Sequence, residues 1–178
     1  MFENIPLHPA IVHLPIGLVL ILPIVTLILM TFFFRGSISK QILLVIVALH
    51  GVLVGSTYIA LETGENEEHV VEKVISESLI EGHEERAESF MAGTVVVFLM
   101  SLALIGHSLG LPPKPVLSVV LLGQFALVLL GYKVGHSGGE LVYIHGASQV
   151  YTSASGTASA NQPIQELFSE KEDHHDDD

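Results

Sequence analysis

Ten histidines are the residues of this sequence best suited to chemistry, and eight of them precede the acidic stretch at the carboxyl end. Neutral imidazole binds zinc, copper, iron and nickel, and two imidazoles from different helices can hold a haem iron. The sequence contains no cysteine, which excludes thiolate ligands, disulfides and covalent c-type haem attachment. The candidate sites are therefore built from histidines, with or without carboxylates.

The elements that must position these histidines are four apolar blocks, at about residues 10–34, 41–61, 90–109 and 116–134. A helix rises 1.5 Å per residue, so about 20 apolar residues cross the hydrocarbon of a bilayer. We predict an all-α membrane protein, a four-transmembrane-helix bundle over residues 1–147, followed by a disordered acidic tail, 148–178. Pro23 is expected to kink the first span.

An acidic segment, residues 62–88, separates the second and third blocks and carries ten Glu against one Lys and one Arg. Its apolar residues recur at roughly helical spacing, which predicts an acidic amphipathic helix on or near the membrane between spans 2 and 3, broken at Gly82. The formal net charge of −12 argues against nucleic-acid binding, because few cations are available to neutralise phosphates.

The basic residues of the short connections set the expected orientation. Arg35 and Lys40 flank one connection and Lys114 lies in the other, so both are expected to be cytoplasmic. We therefore predict a multi-pass protein of the bacterial inner membrane, in contact with the lipid bilayer, with both termini and the acidic segment on the periplasmic side. Six histidines then lie near that outer face: His8, His13, His69, His83, His136 and His145.

A haem b site is the first hypothesis for these histidines. His13, about one turn inside the first span, is expected to reach the same depth as His83 or His145, and Gly17 below it would leave room for the ring. His8 and His136 are further candidate ligands. On this hypothesis the protein is a membrane electron carrier or an anchor subunit.

A non-haem metal-binding or metal-transport membrane protein is the second hypothesis, with zinc, copper or non-haem iron as the metal. The Glu-x-x-His pattern of di-iron bundles is absent, because Asn66 and Ile80 stand three residues before His69 and His83. The candidate ligands are His13, His83, His145, Glu72, Glu84 and Glu140.

A structural subunit whose histidines make interhelical bonds is the third alternative. His50, in mid-span, is expected to make such a bond, and His69 is expected to be a solvated residue on a helix face. No nucleophile elbow, phosphate loop or nicotinamide fingerprint occurs, so no catalytic set is predicted.

Two motifs resemble the paired end motifs of a bacterial membrane-protein family called domain of unknown function 2231. They are HPAIVHLPIGL, residues 8–18, and GHSGGELVYIHG, residues 135–146, and the resemblance covers roughly residues 5–147. Some domains of this kind are joined to c-type cytochrome modules, which implies a place in membrane electron transfer with a c-type cytochrome or another redox subunit as partner. The matching residues are His8, Pro9, His13, Pro15, Gly138, Gly139, Glu140, Tyr143, His145 and Gly146.

Overall fold

The structure is a computed structural model that describes residues 6–36, 40–105 and 112–154. These residues form helices and the turns between them, with one short 3-10 turn at Lys40–Ile42. The helices are α1 (His8–Ile11), α2 (His13–Phe34), α3 (Leu43–Val71), α4 (Glu77–Leu102), α5 (Pro113–Tyr143) and α6 (Gln149–Ala154).

The four long helices pack as a closed ring. α2 and α4 each contact both α3 and α5, and because the connections are short, neighbouring helices run antiparallel. The interior is filled by large aliphatic side chains, among them Leu22, Ile46, Leu53 and Leu117. The all-helical bundle that the sequence predicts is therefore observed.

The outer surface carries many large apolar side chains, which is the arrangement expected of a protein in lipid. Leu122 and Leu129 of α5 are about two-thirds exposed, and the α2 and α3 surfaces carry many further exposed aliphatic residues. Among the described residues, three helical stretches are long and apolar enough to cross a membrane: His8–Phe34, Leu43–Val71 and Pro113–Tyr143.

The predicted third span, 90–109, is not among these crossings. Its described part, from Phe90 onward, is the second half of α4, whose first half carries the acidic residues of the sequence from Glu77 to Glu88. Residues 106–109 of that prediction lie outside the described residues. The described residues thus support three spans.

The separate amphipathic helix predicted for residues 62–88 is replaced by two helix extensions. α3 continues through the acidic residues to Val71, α4 begins at Glu77, and the turn lies at Glu72–Ser76. The predicted break at Gly82 is wrong, because a glycine weakens a helix by only about 1 kcal/mol relative to alanine and packing against neighbours can offset that. The acidic segment is therefore a helical hairpin at one end of the bundle, called here the α3–α4 end.

The second motif continues the helix of the predicted fourth block. Its residues 135–143 form the last turns of α5. The first positions assigned to the disordered tail, Gln149–Ala154, form α6, and the rest of the tail, 155–178, lies outside the described residues.

Close packing of α4 against α5 depends on two glycines that sequence reasoning did not single out. A Cβ at Gly93 would lie 2.9 Å from the Leu127 side chain, and a Cβ at Gly123 would lie 2.8 Å from that of Val97. Each glycine therefore receives a side chain of the opposite helix, as small residues do at interfaces between membrane helices.

Candidate functional site

His8, on the short helix α1, is held against α3 at the α3–α4 end. Its Nδ1 lies 2.8 Å from the carbonyl oxygen of Ala60, and its backbone N–H donates to Glu67 Oε1 at 3.0 Å. A carbonyl oxygen only accepts hydrogen bonds, so Nδ1 must carry the ring proton. In the neutral form of the ring, Nε2 then carries a free lone pair.

His83, on α4, is held against α5 in the same manner. Its Nδ1 lies 2.8 Å from Ser137 Oγ, and that hydroxyl donates its own proton to the carbonyl of Val134 at 3.0 Å. Ser137 therefore accepts from Nδ1–H, and the Nε2 lone pair of His83 is free as well.

The two rings meet between the helices. Their centroids are 6.4 Å apart with an interplanar angle of 84°. Each ring lies on a glycine of the helix behind it: a Cβ would come within 3.2 Å of His8 at Gly64 and within 3.1 Å of His83 at Gly138. Gly138 is helical, and its missing side chain makes room for an imidazole.

The protonation state of His83 suits a ligand. Burial, followed by the neighbouring His8 and Arg86, lowers the pKa of His83 to about 4. The ring is therefore neutral at physiological pH. Metal binding requires a neutral imidazole, and the hydrogen bond made by the other ring nitrogen fixes the tautomer and orients the ring.

Glu67 ties both terminal helices to α3. One carboxylate oxygen accepts from the backbone of His8, and the other accepts from the Tyr151 hydroxyl of α6 at 3.1 Å. Burial and the Glu67 carboxylate raise the pKa of Tyr151 to about 12, so the phenol remains a donor. Sequence reasoning missed Glu67 and Tyr151, because nothing in their spacing shows that α1 and α6 fold back onto α3.

Several predicted ligands lie away from the histidine pair. His13 and His145 are exposed, and within the described part of the chain no hydrogen bond or ring contact joins either of them to His83, so the expected opposition of His13 to His83 or His145 is not observed. Open space adjoins Gly17, with no atom within 4 Å of a Cβ placed there, but no imidazole faces it. The depth of His13 was inferred from the span boundary, which does not fix the direction of the ring.

The remaining candidates belong to local pairs. His136 Nδ1 lies 3.6 Å from Glu140 Oε2 on α5, and Glu72 lies 4.0 Å from the solvated His69. Burial and surrounding glutamates, Glu68 foremost, raise the pKa of Glu84. No three histidine or acidic side chains among the described residues converge as a metal-binding group, so the predicted set combining His13, His83 and His145 with Glu72, Glu84 and Glu140 does not assemble.

A family model described as "Predicted membrane protein (DUF2231)" matches residues 4–150 of the chain. The chain belongs to the DUF2231 family. The comparisons with curated proteins and with solved structures give no match.

In this DUF2231 protein the two end motifs converge on the histidine pair. The first motif supplies His8. The second supplies Ser137, which accepts a hydrogen bond from His83, and Gly138, against which the His83 ring packs. The family's paired motifs are thus joined in space through a histidine of the acidic hairpin, although 130 positions separate His8 from Gly138 in the sequence.

A second polar group lies in the centre of the DUF2231 bundle. Gln124 Nε2 donates to Thr26 Oγ1 at 2.8 Å and to His50 Nε2 at 3.2 Å, and His50 Nδ1 donates to its own helix at the carbonyl of Ile46. The predicted interhelical role of His50 is confirmed. Its partner Gln124 was missed, because an isolated glutamine in an apolar block gives no spacing signal.

Two further histidines of the chain are His69 and His107. His69 is exposed on the surface of α3, as predicted for a solvated residue. His107 lies outside the described residues.

Proposed function

We propose that this membrane protein carries electrons through a transition-metal centre, with haem b as the first candidate, bound by Nε2 of His8 and His83. The supporting observation is the pair itself: two imidazoles from different helices, each anchored through Nδ1, with ring centroids 6.4 Å apart. Metal–nitrogen bonds are about 2.0 Å long, so imidazoles on opposite sides of one metal have centroids about 6 Å apart.

Haem requires more than this ring separation, because the macrocycle extends sideways between the two rings and needs an open slot there. α1 is a four-residue helix that joins α2 at Val12, so it is the element that would move outward with His8. A single copper or non-haem iron ion needs less movement and is the second candidate for electron transfer. In that case two positions remain for water or for a partner's ligands. Zinc has no redox chemistry, so a zinc ion here would instead make the protein a metal-binding or metal-transport protein.

Electron transfer requires a partner, and we propose a c-type cytochrome or another redox subunit at the α3–α4 end. The histidine pair lies at that end of the bundle, beside the acidic hairpin. Partly exposed imidazoles there would shorten the distance to a docked redox protein.

The spectrum of the purified protein separates the candidates. A reduced-minus-oxidised absorption spectrum with a low-spin haem band, lost in His83→Ala and kept in His69→Ala, is the expected result for haem. Stoichiometric metal without a haem band selects the single ion. A colourless protein free of metal, after expression with haem and metals supplied, would overturn the proposal and leave a structural subunit.

We propose further that α4 is a fourth span that begins near Phe90, with the α3–α4 end periplasmic in a bacterial inner membrane. The apolar half of α4 packs against α3 and α5 over the same level of the bundle. Because the chain has no cysteine, single substitutions report sidedness directly. A membrane-impermeant maleimide added to intact cells should label Ser76→Cys and spare Ser39→Cys; the reverse pattern would invert the orientation.

A further inference from the structure

A pocket on the outer surface of α4 and α5 is separate from the histidine pair and has the composition of an anion site. Its volume is about 190 Å³. The lining residues are Arg86, Tyr132, Lys133, His136, Ser137 and Glu140. Two of the seven basic residues of a chain with net charge −12 thus lie on one small surface.

The charges within the pocket favour one negative group. Glu140 lies beside His136 at 3.6 Å, while Lys133 and Arg86 have no carboxylate partner among the described residues. Arg86 uses one N–H on the carbonyl of Gly82 in its own helix, which leaves further guanidinium donors. Arginine and lysine are the usual ligands of a phosphate group.

The surface next to the pocket indicates whether a phosphate bound there would belong to a lipid or be free in solution. An exposed apolar stripe follows the same face of α5 at spacings of three and four residues, and its members are Leu122, Phe125 and Leu129, each at least half exposed. Tyr132 continues the stripe and is 69% exposed, with its ring 5.8 Å from that of His136. Tyrosine is enriched at the headgroup level of membranes.

We propose that this surface binds an anionic phospholipid, with its phosphate between Arg86 and Lys133 and an acyl chain along the α5 stripe. The apolar stripe is the observation that favours a lipid over free phosphate, because free phosphate gains nothing from it. The site shares no proposed metal ligand with the histidine pair, although Ser137 lines the pocket and also holds His83.

Native mass spectrometry of the detergent-purified protein, mixed with equal amounts of phosphatidylglycerol and phosphatidylcholine, tests the proposal. We expect the wild type to retain phosphatidylglycerol preferentially. Arg86→Gln and Lys133→Gln should each reduce retention about threefold to tenfold, since each basic residue near a surface contributes on that scale. Arg86→Lys and Lys133→Arg should restore most of it.

Lys73→Gln is the matched control, because Lys73 is an exposed lysine at the same end of the bundle but outside the pocket. It should retain lipid as the wild type does. Circular dichroism verifies that the variants are folded. Unchanged retention in Arg86→Gln/Lys133→Gln, or equal retention of both lipids by the wild type, would overturn the proposal. Displacement of the lipid by inorganic phosphate would show a plain phosphate site and overturn the lipid assignment.

Discussion

Burial, charge and hydrogen bonding together determine the protonation state and the orientation of the His83 ring. Its ring donates to Ser137, faces His8 and lies against Gly138. These surroundings keep the ring neutral and fix which nitrogen is free. Its properties therefore depend on contacts from α1, α4 and α5 together.

The lowered pKa of His83 predicts a pH dependence of stability. The folded value is about 4 against 6.5 for the unfolded chain, so the unfolded state binds more protons between these values. The free energy of unfolding should fall as the pH drops from 6.5 to 4 and level off below that, by at most about 3 kcal/mol.

Thermal unfolding in detergent across this pH range measures the effect. His83→Gln should flatten the fall, and His69→Gln, which changes an exposed histidine, should not. Glu84 has a raised pKa and acts in the opposite direction, so the comparison between variants isolates His83. Equal pH profiles for the wild type and His83→Gln would contradict the assignment.

Gly138 and Gly139 form a matched pair for testing whether the His83 ring needs the space that a glycine leaves on α5. Both lie in the last turns of α5, but a Cβ at Gly138 would lie 3.1 Å from the His83 ring, whereas one at Gly139 meets no atom within 4 Å. Gly139→Ala should raise stability by about 0.5–1 kcal/mol through helix propensity. Gly138→Ala should show no such gain, and it should displace the imidazole and weaken metal retention. A gain as large in Gly138→Ala would show that the ring moves freely.

At the scale of elements, α1 and α6 are too short to be stable alone and depend on α3. Glu67 provides the attachment for both, since its two oxygens accept from His8 and from Tyr151. Glu67→Gln keeps one acceptor and loses the charge. It should therefore increase amide hydrogen exchange in α1 and α6 together.

Tyr151→Phe should raise exchange in α6 and leave α1 as it is. Glu65→Gln is the control, because Glu65 is an exposed carboxylate on the same helix. If Glu67→Gln leaves the exchange of both helices unchanged, this account of their attachment is wrong.

The buried contact between α2, α3 and α5 makes a separate prediction. Gln124→Leu removes the donor of His50 and Thr26 and should lower stability by about 1 kcal/mol, the scale of polar contacts between membrane helices. The double variant Gln124→Leu/His50→Leu should lose less than the sum of the single variants, as thermal unfolding in detergent would show. Strict additivity would indicate that the two side chains do not interact.

At the scale of the whole molecule, much of the architecture is predictable because membrane helices need long apolar runs. The blocks that contain α2, α3 and α5 stand out for that reason. The acidic hairpin was not predictable from hydropathy, because its helices are continuous with the spans and depend on each other for packing.

The candidate site was only partly predictable. Motif and composition pointed to His8 and His83 among several histidines, but the choice of partner depends on ring direction, which spacing does not give. Ser137 and Gly64 carry no signal of their own. Their roles appear only when α3, α4 and α5 are assembled.

The metal content of purified variants tests the central claim most directly. We predict that His8→Ala and His83→Ala each lose most of the bound metal or haem per chain, whereas His13→Ala and His145→Ala keep it, because those two rings are exposed and apart from the pair. Equal metal content in all four variants, or loss in His13→Ala alone, would contradict the account.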